Sequence, residues 1–423
     1  MKKTLLPSKK HTSPEAVLLA AVTALETLRK NQCTLDEYLD REIDDAVLRR
    51  RLSNLLFTLY RRKRFIDRAI KNNCSKTPDH ELYALLSAAA AMAVYQDSLA
   101  AESVVNIAVS AAKKSHSVAV SRFVNAVLRK MIGQLNPAEA ADALPENLQR
   151  RWRQEFGCGA TETLNKLFLK EAPSSVRLRN GQVSLPDDVM QELPLDLPWK
   201  FYKVENLSGL LASDMFKQGA FYIQDPAPAK VCTLLQKYLE LLPEKVHFID
   251  LCAAPGGKLI MNMELLQTSG RKLEAIALDR SPRRLELVKK NLQRCGLTAG
   301  VIAGDAGDTP QLAGKNFELV TCDVPCSNSG VFRRRPDAIW RWKKADLPAV
   351  CKLQADILGN AGKLTAPGGL LLYSTCSLEK EENQTQIQKF LEHNKDFSLL
   401  DMQLFMPDEY CDGTFAALLQ KIN

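Results

Sequence analysis

The chain of 423 residues contains no stretch approaching the ~20 continuous apolar residues needed to cross a bilayer. The apolar run Leu85–Val94 is alanine-rich and short. The opening MKKTLLPSKK carries positive charge without an apolar segment behind it, so it does not read as a signal peptide. Eleven cysteines are present, but none share C-x-x-C spacing, and their number is odd. That excludes an obvious disulfide framework in a chain long enough to build its own core. The nearest pair, Cys322 and Cys326, has no second Cys/His pair beside it, so no zinc site is expected. Internal repeats and low-complexity tracts are absent too. These absences point to a cytoplasmic globular protein with no membrane partner and no metal, and we expect a monomer.

What is present is ordinary in amount and uneven in placement. Hydrophobic residues make up 46% and charged residues 25%, a balance that folds, and the length suggests two or three domains. The net charge of +8 lies entirely in the first third: residues 1–140 hold 22 Lys and Arg against 14 Asp and Glu, and the remainder holds 35 of each. An electropositive module beside a neutral one suggests a polyanion for the first and different work for the second.

Residues 13–132 read as helical throughout. Ser13-Pro14 supplies an N-cap and a first-turn proline, and Val17, Leu18, Ala21, Val22, Leu25 and Leu28 follow at helical spacing. Further helices are predicted near 42–60, 80–96, 102–113 and 118–132. Breakers from Gly133 to Pro145 mark a boundary. We therefore expect an all-α domain over 1–140, a small α+β linking subdomain over 145–222, and an α/β domain over 223–423. In the last, strands are predicted at 246–251, 274–279, 299–303, 317–323 and 369–374 with helices between them. That order implies a doubly wound, Rossmann-like parallel sheet whose ligands sit at the carboxyl ends of its strands.

The residues at those strand ends carry chemistry. The first strand runs into D-L-C-A-A-P-G-G-K, residues 250–258, where Gly256-Gly257 lets backbone approach a ligand. The spacing matches neither a phosphate-binding P-loop nor a clean G-x-G-x-x-G. Asp279 ends the second strand, where a carboxylate accepts ribose hydroxyls. Asp305 follows the third and Asp323 ends the fourth. Singly, each carboxylate reads more simply as a loop residue or helix cap. Together with Asp250 they suggest a cofactor rich in hydroxyls, amines and positive charge. Cys326 and Cys376 lie just beyond the fourth and fifth strands. If those strands are neighbours, both thiols open into one crevice, where a thiolate can act as nucleophile. Cys158, Cys232 and Cys295 read instead as small buried hydrophobes.

D-L-C-A-A-P-G-G-K, D-V-P-C-S-N-S-G (323–330), R-R-P-D (334–337) and S-T-C-S (374–377) followed by E-E-N (381–383) resemble the RNA 5-methylcytosine methyltransferases. The similarity is greatest to the bacterial Fmu/Sun/RsmB group, which acts on small-subunit ribosomal RNA. It extends to Q-D (224–225), R-L-R-N (177–180) and F-V-N-A-V-L-R (123–129), the last similar to the end of that group's NusB-like domain. The resemblance implies that Cys252, Ala253, Ala254, Pro255, Gly256, Gly257 and Lys258 hold the methionine part of S-adenosylmethionine, Asp279 the ribose and Asp305 the adenine side. It makes Cys376 the nucleophile and Cys326 the cysteine that assists product release, with Asp323 facing both cofactor and base. Leu259, Val324 and Thr414 depart from the family pattern.

The chemistry such residues serve is specific. Carbon 5 of cytosine is a poor nucleophile until a thiolate adds to carbon 6. Asp323, protonated or sharing a proton, could hydrogen-bond the ring where charge develops. The base must leave its stack, and the basic strip R-R-P-D with Arg333 lies beside the site to meet RNA, as do Trp340 and Trp342, which otherwise belong to the core. Arg49, Arg50, Arg51, Arg61, Arg62, Lys63 and Arg64 offer the helical domain as an RNA-docking module or form a solvated face. Transfer RNA is the alternative substrate, and a non-catalytic RNA-binding or assembly factor the alternative of another class.

Overall fold

The computed structural model describes residues 13–31, 33–97, 99–139, 143–179 and 190–422. The MKKTLLPSKK start and Asn180 of R-L-R-N lie outside the described residues. The chain divides into two compact units, one of Met1–Glu171 with Phe332–Arg341, the other of Ala172–Val331 with Trp342–Asn423.

The first unit is all helix. α1 (Pro14–Asn31) starts at the predicted cap, with Ser13 Oγ accepting from the Ala16 amide at 3.1 Å. α2 (Leu35–Glu42) is opened by a Thr34/Glu37 capping box that periodicity did not reveal. α3 (Ala46–Asn73) runs well past the predicted end near residue 60. The run Arg61–Arg64 hides its period, yet Phe65, Ile66, Ala69 and Ile70 return to the buried face. α4 (His80–Tyr95), α5 (Ala101–Ser115) and α6 (Val118–Gln134) lie close to their predicted positions.

The unit does not end at the breakers around Gly133–Pro145. α7 (Glu146–Phe168), bent at Gly157 with φ 85°, belongs to it. Asn165 Oδ1 accepts from the Leu144 amide at 3.0 Å, and the fully buried Trp152 ring lies 6.0 Å from Phe168 and 5.9 Å from Phe332. Turn residues signalled a break in helix there, but this packing carries the same compact body across it.

The second unit holds two sheets. β1 (Ser175–Leu178), β2 (Met190–Glu192), β3 (Phe201–Val204) and β4 (Phe221–Ile223) form an antiparallel sheet of order β2-β3-β1-β4, with α8 (Leu207–Ala212) and α9 (Asp214–Lys217) between β3 and β4. Then follow α10 (Ala227–Gln236), β5 (Lys245–Asp250), α11 (Gly257–Thr268), β6 (Lys272–Asp279), α12 (Pro282–Arg294), β7 (Gly300–Ala303) and β8 (Phe317–Asp323). After α13 (Pro336–Arg341), which the first unit claims, come α14 (Leu347–Leu364), β9 (Thr365–Thr375), α15 (Gln384–His393), β10 (Phe397–Phe405) and β11 (Thr414–Lys421).

The large sheet has the order β10-β11-β9-β8-β5-β6-β7. All five predicted strands are present and parallel. β10 and β11 were not predicted. They extend the β9 edge antiparallel, so the sheet is mixed rather than purely parallel. β11 is an apolar run buried as far as Leu419, which periodicity alone does not distinguish from a buried helix. Chain order turns outward from β5 toward β7 on one side and toward β9 on the other. The switch point lies between β5 and β8.

Trp152 anchors the aromatic cluster with Phe168 and Phe332. Trp152→Ala should destabilise the helical unit by about 3–5 kcal/mol, the usual cost of emptying a packed aromatic site, read as a fall in its urea midpoint. An unchanged midpoint would remove the cluster from the account of that unit.

Candidate active site

The switch point is where the predicted residues gather. β5 delivers Asp250, whose Oδ1 accepts from the Cys252 amide at 3.2 Å and starts the turn. The Ala254 amide donates to Asp279 Oδ2 at 3.2 Å, and Arg284 donates to the Ala254 carbonyl. Gly256 has φ 105°, a left-handed conformation that only glycine takes without strain. A Cβ on Gly257 would stand 3.0 Å from the Gln224 amide nitrogen. Gln224 is itself held by the fully buried Arg177, whose Nε donates to its Oε1 at 3.1 Å and whose Nη1 pairs with Glu264 on α11 at 2.7 Å. The Q-D and R-L-R-N motifs therefore support the loop from beneath.

Asp279 also accepts from the Ser281 amide at 2.9 Å, so the loop and the start of α12 share one carboxylate. Asp305 is exposed, its Oδ1 taking the Gly307 amide at 2.8 Å. Asp323 bonds Lys258 Nζ at 2.6 Å and the Ser374 hydroxyl at 2.8 Å. Both its oxygens thus accept. The proton available to share belongs to the Lys258–Asp323 pair, a partnership that sequence spacing did not reveal. Burial works against the Lys258 charge, but the adjacent Asp323 carboxylate outweighs it and holds the ammonium above the ordinary lysine range. The pKa of Asp250 also rises, but for a carboxyl that favours the neutral form. Burial first, then the nearby Asp323 carboxylate, push its pKa up to about 7.

β8 and β9 are parallel neighbours, with Asp323 opposite Ser374. Their exits therefore run side by side, and Cys326 Sγ lies 3.0 Å from Cys376 Sγ. Both residues are half-buried. Cys376 also donates to Asn328 Oδ1 at 3.2 Å, and Asn328, with φ 61°, returns a bond from its Nδ2 to the Cys326 carbonyl at 3.1 Å. The hydrogen bond with Cys376 and then burial raise the Cys326 thiol well above its ordinary range. Asn328, Ser327, Ser377 and Glu382 surround the pair and were missed as individual residues, although all lie inside quoted motifs.

Several predictions of placement change. Arg333 is only 2% exposed and Trp342 is buried; Trp340 is half-buried, its Nε1 donating to the Tyr60 carbonyl at 2.8 Å. The RNA-facing expectation for Arg333 is thus corrected by its burial, and Trp342 takes its core reading. In the arginine cluster, Arg61 is buried against Glu171, Arg49 bonds the Ile43 carbonyl, Arg62 and Arg64 bond the carbonyls of Glu139 and Leu144, and Lys63 pairs with Asp67. Arg50 and Arg51 remain exposed, lining a cleft of about 800 Å³ with Asn54, Tyr95 and Gln96. Cys232 and Cys295 are buried as expected, but Cys158 is exposed. Leu259 is core, and Thr414 Oγ1 donates to the Thr375 carbonyl at 2.8 Å, so both departures are accommodated.

A Rossmann-like sheet with this crevice, preceded by an all-α unit, defines a class I methyltransferase fold joined to a NusB-like helical domain. Residues 237–417 match the family model for 16S rRNA methyltransferase RsmB/F, and residues 16–133 match the NusB family. A ribosomal RNA small subunit methyltransferase B from Xanthomonas campestris pv. campestris is 32% identical over 396 residues, spanning 87% of this chain and 88% of that one. Its namesake from Vibrio cholerae is 36% identical over 214 residues, about half of each chain at 49% and 47%. The crystal structure of PH0851 superposes with a TM-score of 0.74 at 24% identity, covering 99% of this chain and all of that one. The chain belongs to the ribosomal RNA small subunit methyltransferase B family, a family of S-adenosylmethionine-dependent enzymes.

The raised Asp250 carboxyl gives a test. The folded protein keeps a proton there that the unfolded chain has already lost, so this residue's contribution to stability falls as pH rises from about 4 through about 7. Asp250→Asn should abolish that part of the pH dependence, a difference of order 2–4 kcal/mol between pH 4 and pH 8 in the ligand-free protein. Parallel stability–pH curves for the two proteins would show that Asp250 ionises normally.

Proposed function

We propose that the protein transfers a methyl group from S-adenosylmethionine to carbon 5 of a cytosine in small-subunit ribosomal RNA, with Cys376 forming a covalent bond to carbon 6. The single observation carrying this reading is the 3.0 Å approach of the Cys326 and Cys376 sulfurs at the switch point of the sheet. One thiol would suffice for a structural role. Two, on the exits of adjacent strands and beside a carboxylate–ammonium pair, suit addition to a ring followed by elimination.

The donor set suits S-adenosylmethionine. Asp279 and Asp323 bring carboxylates to the strand ends beside the largely protonated Asp250, and Lys258 offsets one of them. A ligand bearing an amine and a sulfonium supplies the missing positive charge. Loop residues Cys252–Lys258 would hold its methionine part, Asp279 its ribose and Asp305 its adenine side. When bound, it supplies the electrophilic methyl.

The chain's own groups do the rest. The Cys376 thiolate adds to carbon 6, and the displaced electron pair makes carbon 5 nucleophilic. The Lys258–Asp323 pair hydrogen-bonds the ring edge where charge accumulates. Loss of the carbon 5 proton returns the electrons and expels the Cys376 sulfur. Cys326, the poorer nucleophile because its thiol holds its proton, assists this departure.

Residues 1–140 form, in this proposal, the NusB-like domain that docks RNA, residues 145–222 the linking stretch, of which α7 belongs to the helical unit, and residues 223–423 the catalytic domain. The charge excess of the first and the exposed Arg50 and Arg51 support RNA docking, which should weaken with salt. Among the described residues no helix is long and apolar enough to cross a membrane. We place its work in the cytoplasm, as a monomer.

Cys376→Ala should bind S-adenosylmethionine yet leave small-subunit RNA unmethylated, as read by bisulfite sequencing. Cys326→Ala should accumulate a protein–RNA adduct that survives denaturing electrophoresis. Full methylation by Cys376→Ala would remove the covalent mechanism. Methylation of transfer RNA but not ribosomal RNA would correct the substrate.

A further inference from the structure

The E-E-N run after the second cysteine has no part in the chemistry above. Its Glu382 is 0% exposed and lies between β9 and α15. Oε1 accepts from the hydroxyls of Ser327 and Ser377, the latter at 2.6 Å. Oε2 accepts from the Ser327 amide and from Gln354 Nε2, both at 2.9 Å. A carboxylate offers about four acceptor positions, and all are used. The four donors are uncharged, so hydrogen bonds alone offset the cost of burying this charge, and charge-assisted bonds of this kind are strong.

The identity of the donors gives the network its meaning. Ser327 directly follows Cys326, and Ser377 directly follows Cys376. The same Gln354 nitrogen also donates to the carbonyl of Pro325, the residue before Cys326, at 2.9 Å. On the other loop, Asn383 accepts from Thr375 Oγ1 at 2.7 Å and donates to the Ser377 carbonyl at 2.8 Å, bracketing Cys376. The Glu382 carbonyl takes the Tyr373 hydroxyl at 2.7 Å, tying the turn back to β9. The residues flanking each thiol thus converge on one carboxylate, one loop on each side of it.

We propose that Glu382 is a positioning residue for the thiol pair: its buried carboxylate locks the Cys326 loop to the Cys376 loop and sets the separation of the two sulfurs. The inference rests on the reading that the two cysteines act in one reaction. An amide in its place offers one acceptor oxygen where the loops need two, and the Ser327 amide cannot reverse its donor role.

The test uses the full chain and two readouts. Diamide, a thiol oxidant that is itself reduced to the hydrazine, joins two neighbouring thiols as they lose two hydrogens, and the rate of Cys326–Cys376 disulfide formation followed by peptide mass mapping reports their alignment without RNA. Glu382→Gln should slow this closure at least about tenfold and lower kcat about 100-fold, because ångström-scale misplacement of reacting groups costs that much. KM for RNA and affinity for S-adenosylmethionine should stay within about threefold, since neither is set by this network. An unchanged disulfide rate in folded Glu382→Gln overturns the proposal. So does loss of S-adenosylmethionine binding alongside kcat, which would make Glu382 a general determinant of the fold. Should that variant fail to fold, Ser377→Ala removes one donor of the four and decides instead: a fall of about three- to tenfold in both readouts supports the role, and no change in either refutes it. Because disulfide closure needs no substrate, a wild-type protein that leaves cytosine unmethylated refutes the proposed function separately.

Discussion

The site depends on the pairing of β8 with β9. Parallel neighbours with Asp323 opposite Ser374 send their chains out of the sheet at the same level, side by side. Any slip of one residue would turn every side chain to the other face and separate the two exits. With this register, Cys326 and Cys376 meet although they are 50 positions apart in the chain. Antiparallel β11 backs β9 along six paired positions and keeps it from being an edge. β5 flanks β8 on the other side, so the crevice at the switch point has both strands that bear thiol loops on one wall and the glycine turn on the other.

Charge is distributed to match. Burial first, and the nearby Asp323 carboxylate second, keep Asp250 protonated up to about pH 7, while Asp323 keeps Lys258 charged. A neutral carboxyl and a charged ammonium in one crevice, each held by its surroundings, mark a candidate functional site. The helical unit uses its charge differently. Most of the cluster from Arg49 to Arg64 ties helix termini and loops together through carbonyl oxygens, and Arg50 and Arg51 are left to face outward.

Much of this was legible in the sequence because its signals are local. Five strands show as short apolar runs, three of them closing on Asp250, Asp279 and Asp323, and the thiols show as strand-exit cysteines. Helix caps such as Ser13 are written in single residues. The parts that escaped depend on partners far apart in sequence. Lys258 could be assigned to the glycine loop, but its pairing with Asp323 needs β5 beside β8. Glu382 lay in a quoted motif, yet its four donors come from three separate segments. Trp340 and Arg333 look exposed in a basic run, and only packing against the helical unit buries them. β11 was missed because a fully buried strand lacks the alternation that identifies half-buried ones.

The central claim is that Cys376 attacks the ring and Cys326 does not. RNA of the small subunit carrying 5-fluorocytosine blocks proton loss from carbon 5, so an enzyme working by this route should stall as a covalent complex in the presence of S-adenosylmethionine. Mass spectrometry of the digested complex should find the methylated fluoropyrimidine on the peptide containing Cys376. A nucleotide attached to Cys326, or turnover with no complex at all, would contradict the account.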